Sequence, residues 1–116
     1  MNLREQIFQT NDLQEEMCEI PEWNCQVLIR AMTGADRANL LQHAMLKNGQ
    51  PDLVKLYPNL AIASIRDPET KELVFKPEDR DHLALKSGAA LERVAQAAMK
   101  INGMLPEQIK VAEQTF

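Results

Sequence analysis

Trp23-Asn24-Cys25-Gln26-Val27-Leu28-Ile29-Arg30-Ala31, running straight into Met32-Thr33-Gly34-Ala35-Asp36, is the stretch on which the fold turns. Trp23, Cys25, Val27, Ile29 and Ala31 alternate with Asn24, Gln26, Leu28 and Arg30, the two-residue period of a strand with one face on a core. Leu28 interrupts the polar side, so the second face is expected to be only partly wet. We therefore read a strand over 23–31. Thr33 can accept from the backbone amide of Asp36 while the Asp36 carboxylate reaches back, which starts a helix directly after it. The expected stripe of that helix is Ala38, Leu41 and Met45, flanked by Leu40 and Ala44, and Gly49 is a natural stop.

Upstream, Leu3, Ile7 and Phe8 give a short amphipathic helical pattern that ends at Thr10-Asn11-Asp12. Residues 1–19 read as a peripheral helical segment, and Pro21 forces Ile20 toward an extended form. Downstream, Asp52 to Tyr57 fits a short helix with Pro51 at its first position. The apolar run 60–65 is followed by Arg66-Asp67-Pro68-Glu69-Thr70-Lys71-Glu72 and then Leu73-Val74-Phe75. The Asp-Pro turn favours a hairpin with arms 61–66 and 72–75, although the alanines of 60–65 also suit a helix. Pro77-Glu78-Asp79 opens a further helix to about Lys86. Ser87 then caps one whose stripe is Leu91, Val94, Ala95, Ala98 and Ile101. After Asn102-Gly103, the segment 104–116 reads as a peripheral helix with Ile109, Ala112 and Phe116 on one side. The sum is an α+β domain spanning 1–116, with antiparallel strands near 23–31, 61–66 and 72–75 packed on short helices.

The chain has 116 residues, enough for one core and too few for two independent domains. Its 13 Lys and Arg against 17 Asp and Glu leave a net charge of −4, with no basic cluster to displace counterions, so nucleic acid is not the expected partner. No apolar run approaches membrane-spanning length and Met1 to Ile7 does not read as a signal peptide, so no membrane partner and a cytosolic site are expected. Cys18 and Cys25 read as reduced thiols rather than a disulfide. With His43 and His82 they could sketch a zinc site, but the paired close spacings of zinc modules are missing.

No catalytic constellation stands out. Glycines at 34, 49, 88 and 103 are too far apart for a phosphate loop. Asp79, Asp81 and His82 lie close together, yet an acidic first helical turn explains them as capping charge. Ser64 and Ser87 lack an elbow or a neighbouring histidine. No cofactor, metal or enzymatic activity is expected. Trp23 and the methionines Met32, Met45, Met99 and Met104 can serve either core or partner surfaces. Met104, Ile109 and Phe116 are the candidate partner-binding residues, because a one-sided helical face is either docked on the domain or available to another chain.

The order of short motifs resembles a family. Pro21-Glu22-Trp23 leads into Val27-Leu28-Ile29-Arg30 and Met32-Thr33-Gly34; Ala63-Ser64-Ile65 precedes Asp67-Pro68-Glu69-Thr70 and Leu73-Val74-Phe75; Asp79, Leu83, Lys86-Ser87, Ile101-Asn102-Gly103 and a tail ending Ala112-Glu113-Gln114-Thr115-Phe116 follow. Over about residues 20–116 this is similar to the tail assembly chaperones of long-tailed bacteriophages and prophages. The resemblance implies a non-enzymatic protein of the bacterial host cytoplasm that binds the tape measure protein and keeps it soluble while tail tube subunits assemble around it. It also implies contact with the tail tube protein, mainly through a frameshifted, extended form, and self-association is compatible with a long client. Thr70-Lys71 departs from the pattern, since the family more often has a glycine after that turn. The rival readings are another small tail or connector component and a small metal-binding protein.

Overall fold

The computed structural model describes residues 1–44, 48–50 and 52–105. Among the described residues five helices and three strands follow in the order α1 (Leu3–Gln9), β1 (Glu15–Ile20), β2 (Cys25–Arg30), α2 (Gly34–Ala44), α3 (Leu53–Ser64), β3 (Ile65–Arg66), α4 (Arg80–Ala84) and α5 (Gly88–Ile101). The strands form one antiparallel sheet in the order β1-β2-β3, so the chain is an α+β domain. Single turns of 3-10 helix at Pro21–Trp23 and Pro77–Asp79 join the pieces.

The decisive stretch forms β2, shorter than read: Trp23 belongs to the preceding 3-10 turn, and Asn24 takes a left-handed φ of 51° between them. Asparagine tolerates that conformation, which turns β1 back onto β2 as a tight hairpin. Val27 and Ile29 are buried against the helices. Leu28 faces the opposite way and is also buried, opposite Met17 and Arg66. The outer face of the sheet is therefore sealed at its centre by one leucine under longer side chains.

Four expectations need correction. Residues 15–19, read as part of a peripheral helical segment, form β1 with Ile20 and pair along the whole of β2 from Glu15↔Arg30 to Ile20↔Cys25. Their alternation is masked by acids on both faces, and the strand is held by its partner rather than by its own pattern. Residues 61–64 are helical, since α3 runs from Leu53 to Ser64. Asp52 caps it by accepting from the Val54 amide at 3.2 Å. Pro58 lies inside it, unable to donate to the Val54 carbonyl, but the buried row Leu56, Leu60, Ala61 and Ser64 repays that lost rung through packing. The strand expected over 61–66 thus shrinks to Ile65–Arg66, and the expected arm 72–75 is reduced to one bridge between Leu73 and Arg66. On α2 the buried side chains are Leu40 and Ala44, whereas Leu41 remains 41% exposed. At the start of α2 half of the expected capping box is present: the Asp36 amide donates to Thr33 Oγ1 at 3.1 Å, with no return bond to the Asp36 carboxylate.

The strongest pattern gives the central helix. Ser87 Oγ accepts from the Ala90 amide at 3.2 Å, and Leu91, Val94, Ala95 and Ala98 are buried. α5 packs on β1, β2 and α3, and α3 in turn contacts α2 and α4. Ile20, Ile29, Leu60, Ile65 and Val94 are fully buried where these elements meet. Asn102 locks the far end: its side-chain oxygen accepts from the Met32 amide at 2.8 Å, its amide donates to the Ala98 carbonyl, and its own carbonyl accepts from Arg37. Met32, two residues past β2, is thereby fastened to the end of α5.

Candidate functional site

Leu73-Val74-Phe75 forms a short apolar ridge, with Leu73 and Val74 exposed and Phe75 packed against the core. The turn before it is built by Asp67, whose Oδ1 accepts from the Glu69 and Thr70 amides at 2.8 and 3.3 Å. Lys71 then adopts φ 63°, a left-handed conformation natural to glycine. Lys71 holds this conformation with its amide donating to the Asp67 carbonyl and its carbonyl accepting from the Arg66 guanidinium. From that turn the chain runs out extended, held to β3 by the Val74 amide donating to the Ile65 carbonyl at 3.3 Å. Leu73 and Val74 stay 50% and 48% exposed, and Phe75 is half-buried against the core.

This ridge separates two grooves. One, of about 410 Å³, is lined by Trp23, Val74, Phe75 and Leu83, with Asp79, His82 and Lys86 also in its wall. The other, of about 450 Å³, includes Leu40, Ile62, Ala63, Leu73 and Phe75. Phe75 lines both. Pro21 starts the turn that carries Trp23, and the turn is fixed to α5 by Arg93, whose Nε donates to both oxygens of Glu22. That hydrogen bond holds the Glu22 carboxyl below its ordinary range. An exposed apolar ridge with a groove on each side suits contact with apolar side chains of another protein.

A second apolar surface lies on α1. Asn2 caps this helix through the Glu5 amide at 2.8 Å, and Arg4 lies over the Phe8 ring at 5.0 Å. Leu3, Ile7 and Phe8 are 70%, 59% and 73% exposed.

Met104 is half-buried against the core, and its amide donates to the Met99 carbonyl at 2.7 Å. Ile109 and Phe116, together with the helix read over them, lie outside the described residues. The grooves beside Phe75 are not legible in the sequence, because 72–75 reads there as a hairpin arm paired with 61–66, whereas a single bridge joins the two.

The residues considered for catalysis or metal binding are dispersed. Cys18 lies on β1, Cys25 opens β2, His43 is on α2 and His82 on α4. Among the described residues no three of His, Cys, Asp and Glu gather as metal ligands would. Both cysteines are free; burial, and next the negative charge of Glu16, push the Cys18 thiol above its ordinary value. Asp79 accepts from the Lys76 amide at 2.8 Å and Asp81 sits 3.7 Å from Arg80, so both carboxylates have local partners. Among the described residues no helix is long and apolar enough to cross a membrane.

No family model matches the chain, and no curated protein matches it in sequence. The fold has a solved counterpart in the tail assembly chaperone of bacteriophage HK97, with a TM-score of 0.62 over 84% of this chain and 91% of that one, at 18% sequence identity. The domain thus has a phage tail-assembly-chaperone-like fold.

Proposed function

We propose that this protein is a tail assembly chaperone of a long-tailed phage or prophage. It acts in the host cytoplasm without catalysis, binding the tape measure protein and keeping it soluble while tail tube subunits assemble around it. The observation that carries this reading is the shared fold with the HK97 chaperone across most of both chains. The ridge Leu73-Val74-Phe75 with its flanking grooves supports it, because a chaperone of a long helical client needs apolar contact surface that the free protein leaves uncovered. The net charge of −4 favours solubility of many copies bound side by side. Met104, Ile109 and Phe116 are further candidate contacts, and the tail tube protein is a second partner, engaged mainly through an extended form.

The test is co-expression with the long helical protein encoded nearby, followed by affinity capture and assay of that client's solubility. The client should be soluble only in this protein's presence, and Val74→Asp should abolish the rescue while leaving the domain folded. A client that is soluble alone and does not associate would overturn the reading. Retention of the protein in purified virions would favour the rival, a tail or connector component.

A further inference from the structure

β1 is an edge strand of the sheet. The Ala31 amide donates to the Gln14 carbonyl at 2.8 Å, and this pair continues the register Glu15↔Arg30, Glu16↔Ile29 and onward. Antiparallel pairs alternate between hydrogen-bonded and non-hydrogen-bonded, so Glu16, Cys18 and Ile20 exchange bonds with β2. The amides and carbonyls of Glu15, Met17 and Glu19 consequently point away from the sheet. Among the described residues nothing pairs with them, apart from a 3.9 Å contact from Cys18 Sγ to the Glu19 carbonyl.

A groove of about 550 Å³ runs beside this edge, lined by Cys18 and Glu19 of β1 and by Ala89, Glu92, Arg93 and Gln96 of α5. The edge therefore offers both an open ladder and a shelf for the alternate side chains of an added strand, the two parts of strand-addition recognition. Its charge selects the occupant. Glu16, Glu19 and Glu92 have no ion pair among the described residues, whereas Arg93, the cation in the groove wall, is held by Glu22. Glu15 is paired with Arg30 and Lys71, but a second copy pairing through β1 would bring Glu16 and Glu19 of each chain into one ribbon, and like charges oppose it. A basic strand meets the opposite situation.

We propose that the free edge of β1 takes an extended, Lys- or Arg-bearing segment of a partner protein by strand addition, with its alternate side chains on the groove between β1 and α5. This inference does not depend on the chaperone reading, and it uses a surface distinct from the Phe75 ridge.

The probe is a blocked heptapeptide, Lys-Thr-Lys-Val-Lys-Thr-Lys, titrated into the full chain and followed by amide shifts and calorimetry. The amides of Glu15, Met17 and Glu19 should shift, binding should weaken with salt, and the same peptide with Glu for Lys should not bind. Met17→Pro removes an outward amide that β2 does not use, so the fold should persist and peptide binding should be lost. The double variant Glu19→Lys, Glu92→Lys should bind roughly tenfold more weakly. It keeps the test decisive if the proline variant unfolds. Equal binding by either folded variant, or no binding by the unaltered protein, overturns the proposal. Loss of a dimer in Met17→Pro without peptide binding would assign the edge to a second copy instead.

Discussion

α1 and α5 are both amphipathic helices with a polar N-cap, and they have opposite fates. Leu91, Val94, Ala95 and Ala98 of α5 are sealed between the sheet and α3, while Leu3, Ile7 and Phe8 of α1 lie mostly in water. An apolar stripe is thus a demand for cover, and only the rest of the chain decides whether the cover is its own. A seven-residue helix gains little from propensity alone, so α1 contributes almost nothing to the stability of the domain. α5 is what most of the domain is built around.

The sharpest way to break this comparison is to put the same charge into both helices. Val94→Asp should unfold the domain, since an unpaired carboxylate in a fully buried site costs more than about 4 kcal/mol, and loss of the cooperative urea transition would show it. Phe8→Asp should leave that transition in place. Next come the caps. Ser87→Ala should lower global stability by about 1 kcal/mol, whereas Asn2→Ala should lower helical circular dichroism slightly at an unchanged midpoint. An equal loss from both would mean that α1 is packed after all.

A smaller effect concerns pH. Arg93 on α5 lowers the Glu22 carboxyl, so the ionised form is favoured in the folded state. The contribution is present above the usual carboxylate range and is lost as pH falls through the depressed folded value. Because the pair is exposed, Glu22→Gln should only flatten a small part of the acid limb of a stability profile. Phe8→Ala should change stability by no more than about 0.5 kcal/mol.

The parts of the fold legible in the sequence were those with a complete local pattern. Val27 and Ile29 announce β2, Thr33 announces α2, and Ser87 with the stripe to Ala98 announces α5. β1 was not legible, because Glu15, Glu16 and Glu19 hide a strand that exists through its pairing with β2. α3 was read as two pieces, because Pro58 and the Ile-Ala mixture of 61–65 argue locally against a continuous helix that packing on α5 and α2 makes favourable. Leu40 displaced Leu41 from the expected stripe, since one residue moves a side chain about a quarter turn and the docking angle of α2 is a tertiary quantity. Of the site, Trp23 was weighed as a possible anchor. The grooves beside Phe75 depend on where a short unpaired segment crosses the core, which no local spacing encodes.

The position of α5 has a consequence for how this protein is made. It occupies Gly88–Ile101, after every strand among the described residues, and it is the element that covers both the sheet and α3. A nascent chain that has emerged only to Ser87 carries the Val27 and Ile29 face bare and the buried row of α3 without its main neighbour. Folding of the domain therefore has to wait until α5 has been made. A translation product arrested before α5 would be sticky and short-lived, a target for the cell's proteases.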